Sequence, residues 1–338
     1  MTIAYREWRD GDDLALLEMW GGPETDQARQ FRATLAPSGN APWRRCIVAE
    51  DVVDGVAIPV AAGVVHEASL HPERLWVYVE VSRDHRRTGI GSTLLAMLRH
   101  EAGQSPSGVS RLRTKVEPGT PGAAFAEAAG LAPIQRSRLV VVEPGALKLP
   151  VFGDGSEAAA SEQVEDLATG SVELSDVVGR YYTAVHDWDS PGDLSIATVQ
   201  RLFLDDLSGA HGAIVLRAPK ASAFGAGVPA SKKGRLQAFA VSYAQGGPEM
   251  GGPEEGHATK AGEPSDVFLG HDPELSAEDA RAAVRDLLAL IAYQYPVLLE
   301  LDDSMDALRA VVEPLLESGK ARQAGAETLI VSDPVYPA

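Results

Sequence analysis

Residues 77–97 read Val-Tyr-Val-Glu-Val-Ser-Arg-Asp-His-Arg-Arg-Thr-Gly-Ile-Gly-Ser-Thr-Leu-Leu-Ala-Met. Arg83, Arg86 and Arg87 put three positive charges into five residues of a chain whose formal net charge is −18. Gly89 and Gly91 let a backbone come close to a ligand where a Cβ would collide. This combination suits an anion, and a diphosphate is its natural occupant. Glu80 stands just before it on a mostly apolar segment, where a carboxylate can serve as a base. Neighbours Val79 and Val81 alternate with it and therefore face the other way.

The elements that would position these groups follow from periodicity. Residues 76–81 alternate β-branched or aromatic side chains without a breaker, as a strand does. Residues 82–88 form a polar turn. From Gly89 onward, Ile90, Leu94, Met97 and Leu98 recur at helical spacing. A strand, a glycine turn and a helix start make an anion site, because the first helix amides have no partner within the helix and the positive dipole end faces the turn. A dinucleotide fingerprint or a P-loop would need Gly-x-Gly-x-x-Gly directly after the strand, or Gly-Lys-Ser/Thr, and neither is present. Arg86-Arg87-Thr88-Gly89-Ile90-Gly91 does match every fixed position of the Arg/Gln-x-x-Gly-x-Gly/Ala signature of the GCN5-related N-acetyltransferases (GNAT), and on this motif the chain resembles that family.

The resemblance implies a site. The turn would cradle the pyrophosphate of acetyl-CoA as co-substrate, held by Arg86, Arg87, Thr88, Gly89, Ile90, Gly91 and Ser92. Val79 and Val81 would pair with the pantetheine amides as an extra strand does, and the Val81 amide would meet the oxyanion. Glu80 would be the base. The family often carries a tyrosine acid four residues before a Gly-Phe pair. Here Gly130-Leu131 takes that place and the tyrosine position is Ala126, so water, Tyr182 or Tyr336 would have to protonate the thiolate. His85, in the turn, is a loop histidine, and the cluster His186-Asp187-Trp188-Asp189 reads as a helix stop signal before Pro191-Gly192.

The whole chain can be ordered around this segment. Strands are expected at 3–8, 46–49, 56–66, 74–81, 111–116 and 139–142. Helices are expected from 10, at 24–35, from 89 to 102 and at 123–129, with a hairpin turn at 51–55. That order resembles the acetyltransferase fold over residues 1–145. Residues 146–170 are rich in Gly, Ala and acidic residues and read as a linker. Helices at 172–185, 196–207, 277–293 and 306–316, with strands at 213–216, 235–243, 266–270, 297–301 and 328–331, repeat the first half. The resulting fold is α/β (α+β): two tandem GNAT domains, at 1–145 and 171–338, each a mixed, mostly antiparallel sheet flanked by helices. The arrangement is similar to mycothiol synthase-like tandem enzymes. The second copy is degenerate. At its turn stands Gly270-His271-Asp272-Pro273-Glu274, where two carboxylates would repel a pyrophosphate and the proline lacks an amide. Residues 246–264 read as a long hairpin loop.

Composition bounds the rest. The 338 residues with 45% hydrophobic content suit two globular domains. No apolar run is long enough for a membrane span, and the first twelve residues lack a signal-peptide core. Cys46 is the only cysteine, so no internal disulfide or cysteine metal site is expected, and a cytoplasmic setting fits. No metal is expected. The acidic balance argues against nucleic-acid partners. The expected activity is acetyl transfer from acetyl-CoA to a primary amine of a small molecule by direct attack in a ternary complex. A non-catalytic acyl-CoA binder and a protein lysine acetyltransferase stand as alternatives, and the chain can be a monomer or a homodimer.

Overall fold

The computed structural model describes residues 2–23, 26–219, 233–244 and 263–334. The expected loop at 246–264 and Tyr336 fall largely or wholly outside them. Two compact units are present. The first comprises residues 1–134, 189–192 and 329–338, and the second comprises 135–188 and 193–328.

The first unit runs β1 (Ile3–Glu7), α1 (Asp12–Trp20), α2 (Asp26–Arg32), β2 (Gly39–Asn40), β3 (Trp43–Val53), β4 (Val56–His66), β5 (Leu75–Val81), α3 (Ile90–Ala102), β6 (Leu112–Val116) and α4 (Pro121–Ala128). Its strand order is β1-β3-β4-β5-β6, closed by residues 329–332. The β3–β4 hairpin turns at Asp54-Gly55, both at positive φ (52° and 82°), the conformation whose twist suits a two-residue hairpin. It makes β3 longer than the segment 46–49 expected from its apolar run. Helix α3 buries Ile90, Leu94, Leu95, Leu98 and Ala102 against the sheet, with each leucine contributing about 1.5–3 kcal/mol. Leu16 of α1 packs on the opposite face with Cys46, Val48, Ala62 and Val64.

Between β5 and β6 the pairing is parallel and brief. It joins Leu75 to Leu112 and Trp76 to Arg113 and then stops. A buried charge cluster braces this last rung. The Asp189 carboxylate, fully buried, accepts Arg74 Nη1 at 2.6 Å and also Arg113. The Arg113 guanidinium lies 4.2 Å from the centre of the Trp76 ring. The segment taken for a helix stop at 186–189 thus supplies the counter-ion of two arginines more than seventy residues earlier in the chain.

The second unit contains residues 135–142 of β7 (Ala132–Val142), then α5 (Glu157–Gln163), β8 (Val164–Leu167), α6 (Val172–Val185), α7 (Ile196–Val199), β9 (Ala210–Arg217), β10 (Leu236–Tyr243), β11 (Ser265–His271), α8 (Ala277–Ile291), β12 (Val297–Asp302), α9 (Asp306–Glu317) and the start of β13 (Ala321–Ser332). The strand order β7-β12-β11-β10-β9-β8 repeats that of the first unit. Again a parallel pair, β11 with β12, lasts only from Ser265↔Val297 to Asp266↔Leu298.

Three expectations change. Residues 139–142 do not close the first sheet: β7 pairs with β12, Val142 opposite Val297, and the first sheet is closed by residues 329–332, with Leu329 opposite Val116. Both segments are short runs of Leu, Ile and Val, so pattern alone does not assign them. The stretch 146–170 is not a bare linker, because β8 pairs with β9, Val164 opposite Leu216. The single helix expected at 196–207 is α7 followed by a π turn at Gln200–Leu204 and a 3-10 turn at Asp206–Ser208.

Replacing Asp189 by Asn leaves Arg74 and Arg113 buried without a counter-charge. The expected loss is about 3–5 kcal/mol, read as a lower Tm and denaturant midpoint. An unchanged midpoint would show that the cluster carries no stability. Burial also pushes the Cys46 thiol up to about 12, so it stays protonated at pH 8, where native protein should resist iodoacetamide and denatured protein should react fully.

Candidate functional site

At the end of β5 the chain passes through a 3-10 turn, Arg83–His85, before α3. Ser82 N–H donates to Val60 O of β4 at 2.9 Å, and Leu75 N–H donates to Arg111 O at 2.8 Å on the other side. Backbone groups alternate between the two edges of a strand. The amides of Val79 and Val81 therefore point toward β6 beyond the point where the ladder has ended. The divergence leaves a row of donors and acceptors along one edge of β5.

The turn that follows is held rigidly. Ser82 Oγ lies 2.7 Å from His85 Nδ1, and His85 Nε2 lies 3.4 Å from Asp51 Oδ2. Thr88 Oγ1 donates to His85 O at 2.6 Å, and Arg86 Nε donates to Val81 O at 3.0 Å. His85 is thus a structural post of the turn. Arg87 (φ 65°) and Gly89 (φ 89°) both adopt left-handed backbone, which for a non-glycine such as Arg87 costs about 1–3 kcal/mol. Such strain at a turn facing a cleft is a mark of a site. The first α3 bond is Thr93 N–H to Gly89 O at 3.0 Å, so the amides of Ile90, Gly91 and Ser92 begin the helix without helical partners. A methyl group on Gly91 would sit 3.6 Å from Phe125 and Val81. That is ordinary contact, so packing alone does not require glycine there. These residues fit an anionic group set against the α3 N-terminus.

On the opposite face of β5, a cleft of about 350 Å³ opens. Its walls include Trp20, Phe31, Tyr78, Glu80, Arg86 and Lys115. Glu80 is far from a loose base. Arg32 of α2 grips it with Nε to Oε2 at 2.8 Å and Nη2 to Oε1 at 2.6 Å, and the Tyr78 hydroxyl also donates to Oε2. Phe31 stacks on Tyr78 with ring centres 4.9 Å apart, and Arg32 lies over the Trp20 ring. Burial, and after it the charge of Glu80, raises Tyr78 well above the usual phenol range, so this hydroxyl stays protonated. Alternation along β5 pairs Tyr78 with Glu80 on one face and was visible in the sequence. Arg32, forty-eight residues earlier, had no signal there.

Of the residues proposed from sequence, Val79, Val81 and Arg86 to Ser92 gather at the open edge and helix start, while Glu80 lies across the strand. Ala126 is a buried residue of α4. Tyr182 belongs to the second unit. In that unit the corresponding turn is filled from within: the Asp272 carboxylate accepts Arg180 at 2.6 Å, Arg235 at 2.7 Å and the Glu274 amide at 3.1 Å. A side-chain anion occupies the turn.

Residues 8–130 match the acetyltransferase (GNAT) family, which supports an acyltransferase, and the chain has a tandem GNAT fold. Members of the family use acetyl-CoA and act on amines of small molecules or proteins. A tandem GNAT protein from the clavulanic acid biosynthesis pathway superposes with a TM-score of 0.51 at 14% identity, covering all of both chains. A GCN5-related N-acetyltransferase from Sphaerobacter thermophilus gives 0.50 at 13% identity, over 98% of this chain and 95% of that one. No curated protein matches the sequence. No helix among the described residues is long and apolar enough to cross a membrane.

Gly89→Val forces a branched side chain into left-handed backbone at the helix start. CoA affinity, measured by calorimetry, should fall about tenfold or more. Unchanged affinity would remove this turn from the binding site.

Proposed function

We propose that the first unit transfers the acetyl group of acetyl-CoA to the primary amine of a small molecule within a ternary complex, and that the second unit does not hold CoA at its turn. One observation carries this reading: the unpaired edge of β5 leads directly into the free amides at the α3 N-terminus. An amide-bearing chain that ends in a diphosphate matches that edge and that terminus in order.

The chemistry follows from the placement. The pantetheine amides pair with Val79 and Val81. Arg86 and the amides of Arg87 to Ser92 take the pyrophosphate. The amine nitrogen attacks the thioester carbon, and the negative charge that develops on the carbonyl oxygen is met by the Val81 N–H. When the C–S bond breaks, the electron pair leaves with sulfur, and water protonates the thiolate, because Ala126 offers no acid. The amine must lose a proton before or during attack. Glu80 is the carboxylate for this. Arg32 holds it fixed by two hydrogen bonds, which suits receipt of an ammonium and passage of its proton through a water.

Thiol release from acetyl-CoA with a panel of amines tests this. Wild type should release CoA with some amine, and Glu80→Gln should lower kcat by about 100-fold while CoA affinity stays within about twofold, as expected for a residue across the strand from the open edge. A Glu80→Gln protein of native Tm and full kcat would remove Glu80 from the chemistry. CoA binding without release on any amine would refute the transferase reading.

A further inference from the structure

The face of the cleft that holds Glu80 continues onto β6. Arg113 lies over Trp76, whereas Val116 packs into the cluster of Ala126 and Leu131. Alternation therefore puts Lys115 and Glu117 on the same face as Trp76, Tyr78 and Glu80, and both line the cleft. Helix α2 comes down over them, with Gln27 Nε2 donating to Lys115 O at 3.0 Å.

These two side chains differ from the other charges around them. Glu80 is matched by Arg32 at 2.6 Å. Lys115 and Glu117 are each half-buried, and neither makes an ion pair or a side-chain hydrogen bond among the described residues. Half-buried charges without partners lose hydration and gain nothing within the fold. Lys115 on β6 and Glu117 just past its end both line the cleft, as a positive and a negative group beside an aromatic wall of Trp20, Phe31 and Tyr78.

We propose that the acceptor is an amine that also carries a carboxylate, an amino acid with an apolar or aromatic side chain. Lys115 pairs with its carboxylate, Glu117 receives its ammonium as it enters, and the aromatic wall takes its side chain. A bare amine leaves Lys115 unmatched. The pair also excludes dicarboxylic amines, whose second anion would meet Glu117 or Glu80. This inference rests on the reading that the cleft acetylates amines.

The test is kcat/KM for CoA release with apolar and aromatic amino acids, each compared with its own decarboxylated amine, such as phenylalanine with phenethylamine and leucine with isopentylamine. In wild type the amino acid should be favoured about tenfold or more. Lys115→Met should collapse that ratio toward one, and Lys115→Arg, which keeps the charge, should retain it; Tm reports the folding of both. Equal turnover of the two partners in wild type, preference for the bare amine, or a ratio that survives in Lys115→Met would overturn the inference and leave the transferase reading intact. Acceptance of none of these compounds while other amines are acetylated would also overturn it. Failure to acetylate any amine at all would overturn both.

Discussion

Strand β5 loses its neighbour halfway along its length. Its ladder to β6 stops at Trp76↔Arg113, and every feature of the site depends on that divergence. Backbone groups in a sheet interior are normally satisfied by the next strand, so an unpaired edge inside a domain is stable only when something else pairs with it. The turn after β5 adds a second set of unmatched donors at the α3 N-terminus. Two consecutive rows of donors, the first extended and the second converging, describe the shape of a ligand before any ligand is named. The Asp189 cluster fastens the last rung, so the point of divergence is fixed by two buried arginines and not left to the strands themselves.

The two units use the same scaffold differently. Both diverge after two parallel rungs. In the first, the turn is built from glycine, left-handed backbone and arginine. In the second, Asp272 gathers Arg180 and Arg235 inside the turn. An internal carboxylate beside the turn amides costs less entropy than binding an anion from solution. The overall negative charge of the chain contrasts with the cationic turn and cleft, and the local field, not the net charge, decides which anion approaches.

Much of this was legible in the sequence, and the gaps have physical causes. The motif lies on a strand and helix whose periods of two and 3.6 residues are uninterrupted, so a turn over 82–88 followed by a helix is legible, and α3 begins at Ile90 with Gly89 as its cap. The repeat of elements in the second half was equally plain. What escaped were contacts between residues distant in sequence. Residues 139–142 and 329–332 are interchangeable as apolar strand segments, and only their partners tell them apart. Glu80 stands out for its chemistry, but its clamp by Arg32 comes from a helix that no motif links to it. Asp189 looks like an ordinary stop signal because its buried partners, Arg74 and Arg113, sit on strands that the sequence separates from it. Lys115 and Glu117 carried no motif and became visible only when β6 was set beside β5.

The most direct test of the account is amide hydrogen exchange with and without CoA. CoA should slow exchange at Val79, Val81 and the amides from Arg87 to Ser92, and leave residues 265–276 of the second unit unchanged. Protection confined to the second unit, or none along β5 and the α3 N-terminus under saturating CoA, would contradict it.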